Sequence, residues 1–418
     1  MKNLRAILTD DVQFILATLN DAGHETRIVG GAVRNFLMGE PISDIDMATT
    51  AIPQRVMEVC TNAGMLVIPI GVEHGTVTVM REGKGYEITT LRRDTQTFGR
   101  KASVTFSDSF EEDSQRRDFS INALYLDSVG KLYDYHSGLA DIEQRNIRFI
   151  GDPAQRIRED YLRILRYFRF LALYGYYRAN EEYLNTIATL TPGMSMLSTA
   201  RIMNELLKIF EISDSYKIIL PMKNVFEQLF LLDKDPLTTC QELGIFGSMS
   251  PADKFCMLLL FSRSDVHSLV EKYHFPREIA KQILQSSNIG QIKIEHLDAA
   301  ADLLVALQKK SKQITAKQRR NFYIQYSLVD LYLHRAITDI GMVKSLLHEL
   351  QDFSNSGCAD FKFRPHLLAD LHLTPQQIKA VMAATRTFWS ESDVNISEAD
   401  CLIFAKNYAL RVAQTMKC

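Results

Sequence analysis

A pair of glycines between two periodic segments constrains the fold of this chain more than any other feature. The run ETRIV at 25–29 has the composition of a short strand, and VRNFLMG at 33–39 has that of a helix. Gly30 and Gly31 join them. Because a glycine turn at a helix N-terminus exposes backbone N–H groups, this unit predicts a phosphate-binding turn. Arg34, one helical turn further on, would add charge-assisted hydrogen bonds.

Two close carboxylates, Asp44 and Asp46, follow this unit. Residues two apart in a strand point to the same face, so both carboxylates would lie side by side while Ile45 faces the core. Such a pair suits Mg²⁺, which binds carboxylate oxygens and keeps room for substrate phosphates. Glu87, in the strand-like run GYEITT, is a candidate third carboxylate. The alternative is an acidic surface turn, and the P-loop pattern is not present.

The pattern of the chain changes near Asp152. Before it, strand-like runs alternate with helix-like segments, and after it almost every segment has helical spacing, beginning with one helix over 152–175. The predicted fold class is therefore α+β. We expect an α/β head with a mixed sheet at 1–150, a helical neck at 151–212, and a helical body and tail at 213–418.

Composition indicates the class of protein and its cellular compartment better than it indicates the activity. The chain has 418 residues, 46% hydrophobic and 23% charged, with a net charge of −2, which is ordinary for a soluble protein and still allows a basic face. Its six cysteines form no CxxC pair, so no zinc site or disulfide framework is indicated. The N-terminal segment resembles an amphipathic helix, not a signal peptide, and no run is long enough to span a bilayer. We therefore expect a cytoplasmic protein.

A second constellation lies in RRDFSINALYLD at 116–127. Asp118 and Asn122 are four residues apart and would share a helix face. The functional interpretation puts Arg117 on a phosphate, with Asp118 and Asn122 near a sugar hydroxyl. The structural alternative is a capped helix with an exposed ion pair.

A third constellation is a stripe of charged residues in REDYLRILRYFRF. It repeats every three residues, at Asp160, Arg163, Arg166 and Arg169. Three arginines with a single acidic neighbour in register indicate a polyanion site, although an Asp160–Arg163 ion pair with solvated arginines would explain them too. An aspartate that accepts from a base amino group, beside an arginine that donates to the ring nitrogen, would select cytosine and adenine over uracil and guanine.

Together these segments resemble the class II tRNA nucleotidyltransferases, the CCA-adding enzymes of the polymerase β-like superfamily. GGAVRN with DID resembles the first motif of that family, Arg116–Ala123 the second, and Glu159–Phe170 the amino-acid template. A later motif is similar to LSTARIMNEL at 197–206. The resemblance covers roughly the first half of the chain, in the family's order.

The resemblance implies addition of C, C and A to the 3′ end of tRNA from CTP and ATP, without a nucleic-acid template. It implies that Asp44 and Asp46 hold Mg²⁺. The residues that it implies at the nucleotide are Gly31, Arg34, Arg117, Asp160, Arg163, Arg166 and Arg169. Our hypothesis for the chemistry is a two-metal in-line displacement. Two positions depart from the family motifs, Asn35 where Asp is usual and Ala200 where Glu is usual.

Several alternatives stay open at this point. CC-adding, A-adding and poly(A)-synthesising relatives share these motifs, although the full-length segment 92–113 favours complete CCA addition. A catalytically silent RNA-binding protein is a further alternative. The helical body should bind the acceptor–TΨC arm of tRNA, and the basic run at 309–322 is either part of that surface or a solvated helix face. The oligomeric state, monomer or homodimer, is open.

Overall fold

The computed structural model divides the chain into two compact units, Met1–Leu229 and Phe230–Cys418. It describes residues 4–98, 101–175, 178–212, 215–232, 250–262, 265–290, 363–371, 373–391 and 398–415, with isolated positions at 238–249, 308–350 and 361. The predicted head and neck both fall in the first unit. The finer division at 150 and 212 stays a prediction.

A mixed sheet organises the first unit. Its strands, in chain order, are β1 Thr26–Val29, β2 Asp46–Thr49, β3 Leu66–Ile68, β4 Thr76–Arg81, β5 Lys84–Thr90, β8 Leu124–Leu126 and β9 Leu132–Asp134. The spatial order is β3-β4-β5-β2-β1-β8-β9. Strands β6 Arg92–Phe98 and β7 Lys101–Phe106 form a separate antiparallel hairpin. The strand predicted at 25–29 is confirmed as β1, and those predicted at Asp46 and around Glu87 are confirmed as β2 and β5.

The centre of the sheet places the acidic strand between two partners. Strand β2 pairs antiparallel with β1 and parallel with β5. In the parallel register Asp46 lies opposite Glu87. Buried apolar residues from β1, β2, β4 and β5, among them Ile28, Met47 and Ile88, pack against the helices and form one core. The core fixes the strand register, because a one-residue slip would turn Met47 out of it.

Helices cover the sheet and continue beyond it. In the first unit they are α1 Asp10–Asp21, α2 Gly31–Met38, α3 Pro53–Asn62, α4 Phe110–Gln115, α5 Gly138–Gln144, α6 Pro153–Glu159, α7 Leu162–Tyr174, α8 Glu181–Leu190, α9 Thr199–Glu211, α10 Tyr216–Ile219 and α11 Lys223–Phe230, which ends on the first residue of the second unit. Local chemistry explains their ends. Gly39 ends α2 in the left-handed region, and the Asp152 side chain accepts from the backbone N–H of Gln155 at the start of α6.

The prediction of a single helix over 152–175 is wrong in one respect, because the structure breaks that helix at Asp160. The Asp160 backbone is extended, with φ −153° and ψ 104°. Its carboxylate accepts a hydrogen bond from the backbone N–H of Leu162 at 3.1 Å and so satisfies a free donor at the start of α7. Helical spacing of the apolar residues continues across the break and hides it in the sequence.

The second unit is helical where the structure describes it. Its helices are α12 Pro251–Leu260, α13 Val266–Tyr273, α14 Arg277–Gly290, α15 Pro375–Glu391 and α16 Glu398–Thr415. The basic run at 309–322 lies outside the described residues apart from position 311. Among the helices that are described, none combines the length and the apolar character needed to cross a bilayer. The α+β class, with a mixed-sheet head and a helical remainder, agrees with the prediction.

Candidate active site

An open pocket of about 450 Å³ lies in the first unit. Ten of the predicted site residues line it, namely Gly30, Gly31, Arg34, Asp46, Arg117, Asp118, Asn122, Asp160, Arg163 and Arg166. Four lining residues had no predicted role: Arg116, Leu162, Phe170 and Arg201. Asp44, Glu87 and Arg169 do not line the pocket. The pocket thus brings together motifs that are far apart in the sequence.

The glycine turn lies at the N-terminal end of α2. Gly30 has φ 73° and ψ −122°, a conformation that side-chain-bearing residues rarely adopt. A Cβ at this position would lie 3.7 Å from Nη1 of Arg117 and 3.6 Å from the carbonyl oxygen of Asn122. Helix α2 begins at the next residue, Gly31, so its free N–H groups lie at the pocket. The turn therefore has the backbone geometry expected of an anion-binding turn.

Arg34 is a buried cation beside this turn, with only 7% of its surface exposed. Its guanidinium donates to the side-chain oxygens of Asn122 and Asn35 and, at 3.1 Å, to the hydroxyl of Tyr174. Burial lowers the pKa of Arg34 below its ordinary value, although the group stays charged. Its acceptors are all neutral, so its charge remains available to an anion.

Asn35, one of the two departures from the family motifs, connects three segments. Its Oδ1 accepts from Arg34 at 2.9 Å and from the Tyr174 hydroxyl at 3.1 Å. Its Nδ2 donates to the carbonyl of Pro41 at 2.8 Å, in the loop that leads to Asp44. An aspartate could make the first two contacts but has no donor for the third.

The acidic edge of the sheet carries the predicted metal ligands. Asp46 and Glu87 face each other across the parallel pair β2–β5. The prediction that Asp44 and Asp46 share one strand is wrong, because β2 begins at Asp46 and Asp44 lies in the loop before it. Ile45 packs against the core, as predicted. Partial withdrawal from water raises the pKa of Asp46 to about 6, with further contributions from the carboxylates of Glu87 and Asp44, and Arg117 offsets only part of this.

This donor set fits a divalent cation in its chemistry. Asp44 and Asp46 offer carboxylate oxygens, the ligands that Mg²⁺ prefers. The pKa of Asp46 is raised chiefly by burial and then by the nearby carboxylates of Glu87 and Asp44, and a bound cation would offset both effects. Within the described part of the chain, no group of three acidic, histidine or cysteine side chains is close enough to hold an ion by itself. The fit therefore rests on the type and position of the carboxylates.

The second motif is folded differently from the prediction. Asp118 and Asn122 do not share an α-helix face, because Ser120–Asn122 forms a 3-10 turn and Phe119 bridges to Phe149. The two side chains still meet, since Nδ2 of Asn122 donates to Asp118 at 3.0 Å. Backbone pairing with a distant segment thus replaces the helix and preserves the contact.

The arginine stripe is paired, and its partners come from distant parts of the chain as well as from its own helix. Arg163 contacts Glu159 at 2.7 Å. Arg166 contacts Asp118 at 2.5 Å, and Arg169 contacts Glu205 at 2.6 Å. The structure does not contain the alternative Asp160–Arg163 ion pair, since Asp160 accepts from Arg201 at 2.7 Å.

Buried ion pairs set the charge state of this wall of the pocket. Burial would raise the pKa of Asp118, but Arg166 and the hydrogen bond from Asn122 outweigh it and lower the pKa to about 2. The same contact raises the pKa of Arg166 above its usual value, against the effect of burial. Phe170 lies under the guanidinium of Arg169, at 4.5 Å from the ring centroid, and closes this side.

One supporting carboxylate was missed although the sequence carried a signal for it. Asp113 stands three and four residues before Arg116 and Arg117, a spacing at which opposite charges on a helix meet. Its carboxylate contacts Arg116 at 2.8 Å and Arg117 at 3.0 Å. Arg201 and Glu205, by contrast, reach the site only through the packing of α9 on α7.

Comparison with known proteins gives this site a class. Residues 26–148 match the family described as the Poly A polymerase head domain. The sheet, the glycine turn and the acidic edge therefore lie in the part of the chain that is similar to that family.

Individual relatives give a more specific likeness than the family does. The mouse protein named CCA tRNA nucleotidyltransferase 1, mitochondrial, is 41% identical over 211 residues, which are 49% of this chain and 48% of that protein. The CCA-adding enzyme of Enterococcus faecalis is 39% identical over 197 residues, 47% of each chain. The aligned part of the chain thus spans about half the length of these curated relatives. The predicted resemblance to class II tRNA nucleotidyltransferases is confirmed.

Solved structures extend the likeness of fold along the whole chain. The CCA-adding enzyme of Bacillus stearothermophilus in complex with CTP matches all of both chains, with a TM-score of 0.61 and 21% identity. The Thermotoga maritima CCA-adding enzyme complexed with tRNA matches 98% of both chains, with a TM-score of 0.69 and 16% identity. At these identities the likeness shows the fold alone.

Proposed function

We propose that this protein adds C, C and A to the 3′ end of tRNA, using CTP and ATP as substrates. The single observation that carries the proposal is the pocket, where the glycine turn, Asp46, Arg117 and the Asp160–Arg163 segment lie around one space. Relatives that match about half of the chain, named CCA tRNA nucleotidyltransferase 1 and CCA-adding enzyme, support the choice of substrates.

Each wall of the pocket has a task in this reaction. Asp44 and Asp46 would hold Mg²⁺, with Glu87 as a neighbouring carboxylate. A cation bound there would supply activation of the tRNA 3′-hydroxyl and stabilisation of charge on the α-phosphate. The turn at Gly30 and Gly31 binds phosphate oxygens through backbone N–H groups, and Arg34 and Arg117 bind them through guanidinium groups. Catalysis then consists mainly of positioning and charge stabilisation.

The neck segment selects the base. Asp160 accepts from the amino group of cytosine or adenine, and Arg163 donates to the adjacent ring nitrogen. In the structure both side chains are held, Asp160 by Arg201 and Arg163 by Glu159. Such contacts fix their orientation, so that a base with the reverse order of donor and acceptor leaves buried groups unpaired. Asp118 and Asn122 lie on the same wall, beside the sugar.

The helical second unit supplies the tRNA surface in this proposal. Double-stranded RNA is recognised through its shape and phosphates, so we expect binding of the acceptor–TΨC arm to weaken as salt increases. Full CCA addition is favoured over CC addition because segment 92–113, which contains the paired strands β6 and β7, is full length. Cys60 and Cys256 are buried free thiols, which fits a reducing compartment such as the cytoplasm.

The decisive experiment is primer extension with Mg²⁺ on three tRNAs that end before the first C, after CC, and after CCA. We expect three, one and zero added residues. A long A tail would assign poly(A) synthesis, and addition limited to CC or to A would assign a partial enzyme. No incorporation of labelled CTP or ATP into any tRNA would refute the proposal and favour a silent RNA-binding protein.

A further inference from the structure

We propose that Asp113 is a positioning residue for nucleotide binding, which aims the guanidinium groups of Arg116 and Arg117 into the pocket. This inference rests on the proposed function. Asp113 belongs to α4, outside the lining of the pocket, and does not touch the space where substrate would lie. Its effect on substrate therefore has to pass through the two arginines.

The carboxylate of Asp113 is the centre of a buried network. Only 1% of its surface is exposed. One oxygen, Oδ2, accepts from Nε and Nη2 of Arg117 at 3.2 and 3.0 Å and from the Tyr125 hydroxyl at 2.8 Å. The other, Oδ1, accepts from Nε of Arg116 at 2.9 Å. Two guanidinium groups are thus fixed by one side chain.

The contacts of Asp113 leave a specific atom of Arg117 for the substrate. Nε and Nη2 of Arg117 are taken by Asp113 and Tyr125. Nη1 lies 3.7 Å from the point where a Cβ would sit on Gly30, so it faces the glycine turn. Within the described part of the chain Nη1 has no hydrogen-bond partner. Asp113 therefore orients a free donor toward the predicted phosphate position.

The charges of the network favour an anion. One carboxylate faces two guanidinium groups, which leaves one net positive charge at the pocket. The hydroxyl of Tyr125 adds no charge. Burial would raise the pKa of Asp113, but the two arginines outweigh it and lower the pKa, so the carboxylate stays ionised at neutral pH. A neutral residue here would release both guanidinium groups from their fixed orientation.

The backbone beneath the arginines is fixed as well. Nη2 of Arg156 donates to the carbonyl oxygens of Arg116 and Arg117 at 2.5 and 2.7 Å. With the main chain held in this way, loss of the Asp113 charge should affect mainly the two side chains. The expected consequence is weaker nucleotide binding with the reacting groups still in place.

The test is Asp113→Asn, which preserves the shape of the side chain and removes its charge. We expect KM for CTP and ATP to rise by about tenfold or more, with kcat within about threefold, because a charge-assisted contact contributes about that much to binding. The dissociation constant for CTP, measured by equilibrium dialysis without tRNA, should rise by a similar factor. The matched control is Glu111→Gln, an exposed acid on the same helix, which should change neither value.

Coupling to Arg117 separates positioning from a general structural effect. In an Arg117→Met background, Asp113→Asn should change KM by less than it does in the wild-type chain, because contacting residues that act together are non-additive. The proposal would be overturned if the double variant raised KM by the product of the two single increases. An unchanged KM in the Asp113→Asn variant would also overturn it. A fall in kcat without a change in KM would overturn it too.

A second variant covers the case in which Asp113→Asn fails to fold. Tyr125→Phe removes the hydroxyl that contacts both Asp113 and Arg117 and leaves every charge in place. It should raise KM by about threefold with kcat unchanged; an unchanged KM would overturn the proposal. Failure of the wild-type chain to incorporate CTP would instead refute the proposed function, and dialysis with CTP would still test the role of Asp113.

Discussion

Asp46 and Asp118 line the same pocket, yet their carboxyl pKa values move in opposite directions. The pKa of Asp46 is raised to about 6, whereas that of Asp118 is lowered to about 2. Burial acts in the same direction on both. The difference comes from their neighbours, because Asp46 faces Glu87 and Asp44, while Asp118 contacts Arg166 at 2.5 Å.

The site therefore contains two kinds of acidic residue, which differ in the charges around them. Along the sheet edge, the carboxylates of Asp44, Asp46 and Glu87 lie close together and Arg117 offsets only part of their effect on Asp46, which suits a metal that arrives from solution. On the helical side, Asp118 in the pocket lining and Asp113 and Glu205 outside it are each paired with arginine. We expect changes at the edge to remove activity and changes at the wall to alter binding, selectivity or stability.

The largest effect is expected for Asp46→Ala. Loss of a metal ligand should remove several kcal/mol of transition-state stabilisation, so nucleotide incorporation should fall by about a thousandfold or more. The fold should persist, since the side chain starts β2 and is open to the pocket. The measurement is Mg²⁺-dependent incorporation of labelled CTP, with the exposed Glu40→Gln as control. Retained incorporation would break the assignment of the edge as a metal site.

The second largest effect is expected for Asp160→Asn, which should change the selectivity for the base. The asparagine oxygen can still accept from the backbone N–H of Leu162, so the start of α7 is kept. Its amide can now donate to the keto oxygen of uracil or guanine, and rejection of UTP and GTP should relax by about tenfold to a hundredfold. Ratios of kcat/KM for CTP against UTP measure this. Unchanged rejection would contradict the base-selecting role.

The pH dependence of the free energy of unfolding tests the difference between Asp46 and Asp118 most directly. Asp118→Asn should lower the free energy of unfolding at pH 7 by about 2 to 3 kcal/mol, because the native state favours the ionised carboxylate. This stabilisation is present above about pH 4 and is lost as pH falls toward 2, since the folded-state pKa is lowered.

Asp46→Asn should change the free energy of unfolding at pH 7 in the opposite direction. With a raised folded-state pKa, the carboxylate costs stability at pH 7, and this cost disappears below about pH 4, where both the folded and the unfolded chains are protonated. Without divalent cation, the variant should therefore melt higher than the wild type at pH 7 and equally at low pH. Thermal unfolding of both variants from pH 2.5 to 7 checks the pair, and shifts of the same sign would break the comparison.

The smallest effect is expected for Asn35→Asp. The carboxylate can accept from Arg34 and Tyr174 as the amide does, and only the donation to Pro41 is lost. We expect KM for CTP within about threefold of wild type and a loss of stability of about 1 kcal/mol. Asn35→Ala removes all three contacts and should weaken CTP binding more. Equal effects of the two changes would refute the accepting role of the side chain.

Local sequence predicted part of this site well. The strand, the glycine turn and helix α2 follow from a few neighbouring residues, since glycine at Gly30 permits the left-handed backbone that the turn needs. The placement of Glu87 beside Asp46 was also predicted, although it depends on a parallel pairing across the sheet. The break at Asp160 was missed, because one capping side chain interrupts a helix without disturbing its apolar period.

What the sequence by itself determined is the type of several local elements, such as β1, the glycine turn and α2, and which residue types are present for phosphate, metal and base. Only the tertiary structure decided which charges meet. Asp118 pairs with Arg166 across 48 positions, and Arg169 with Glu205 across 36. Backbone preference depends on residues within one or two turns. Charge pairing depends on how the sheet and helices pack, and this packing buries Asp46 beside Glu87, which raises its pKa, and places Arg166 against Asp118, which lowers the pKa of that carboxyl.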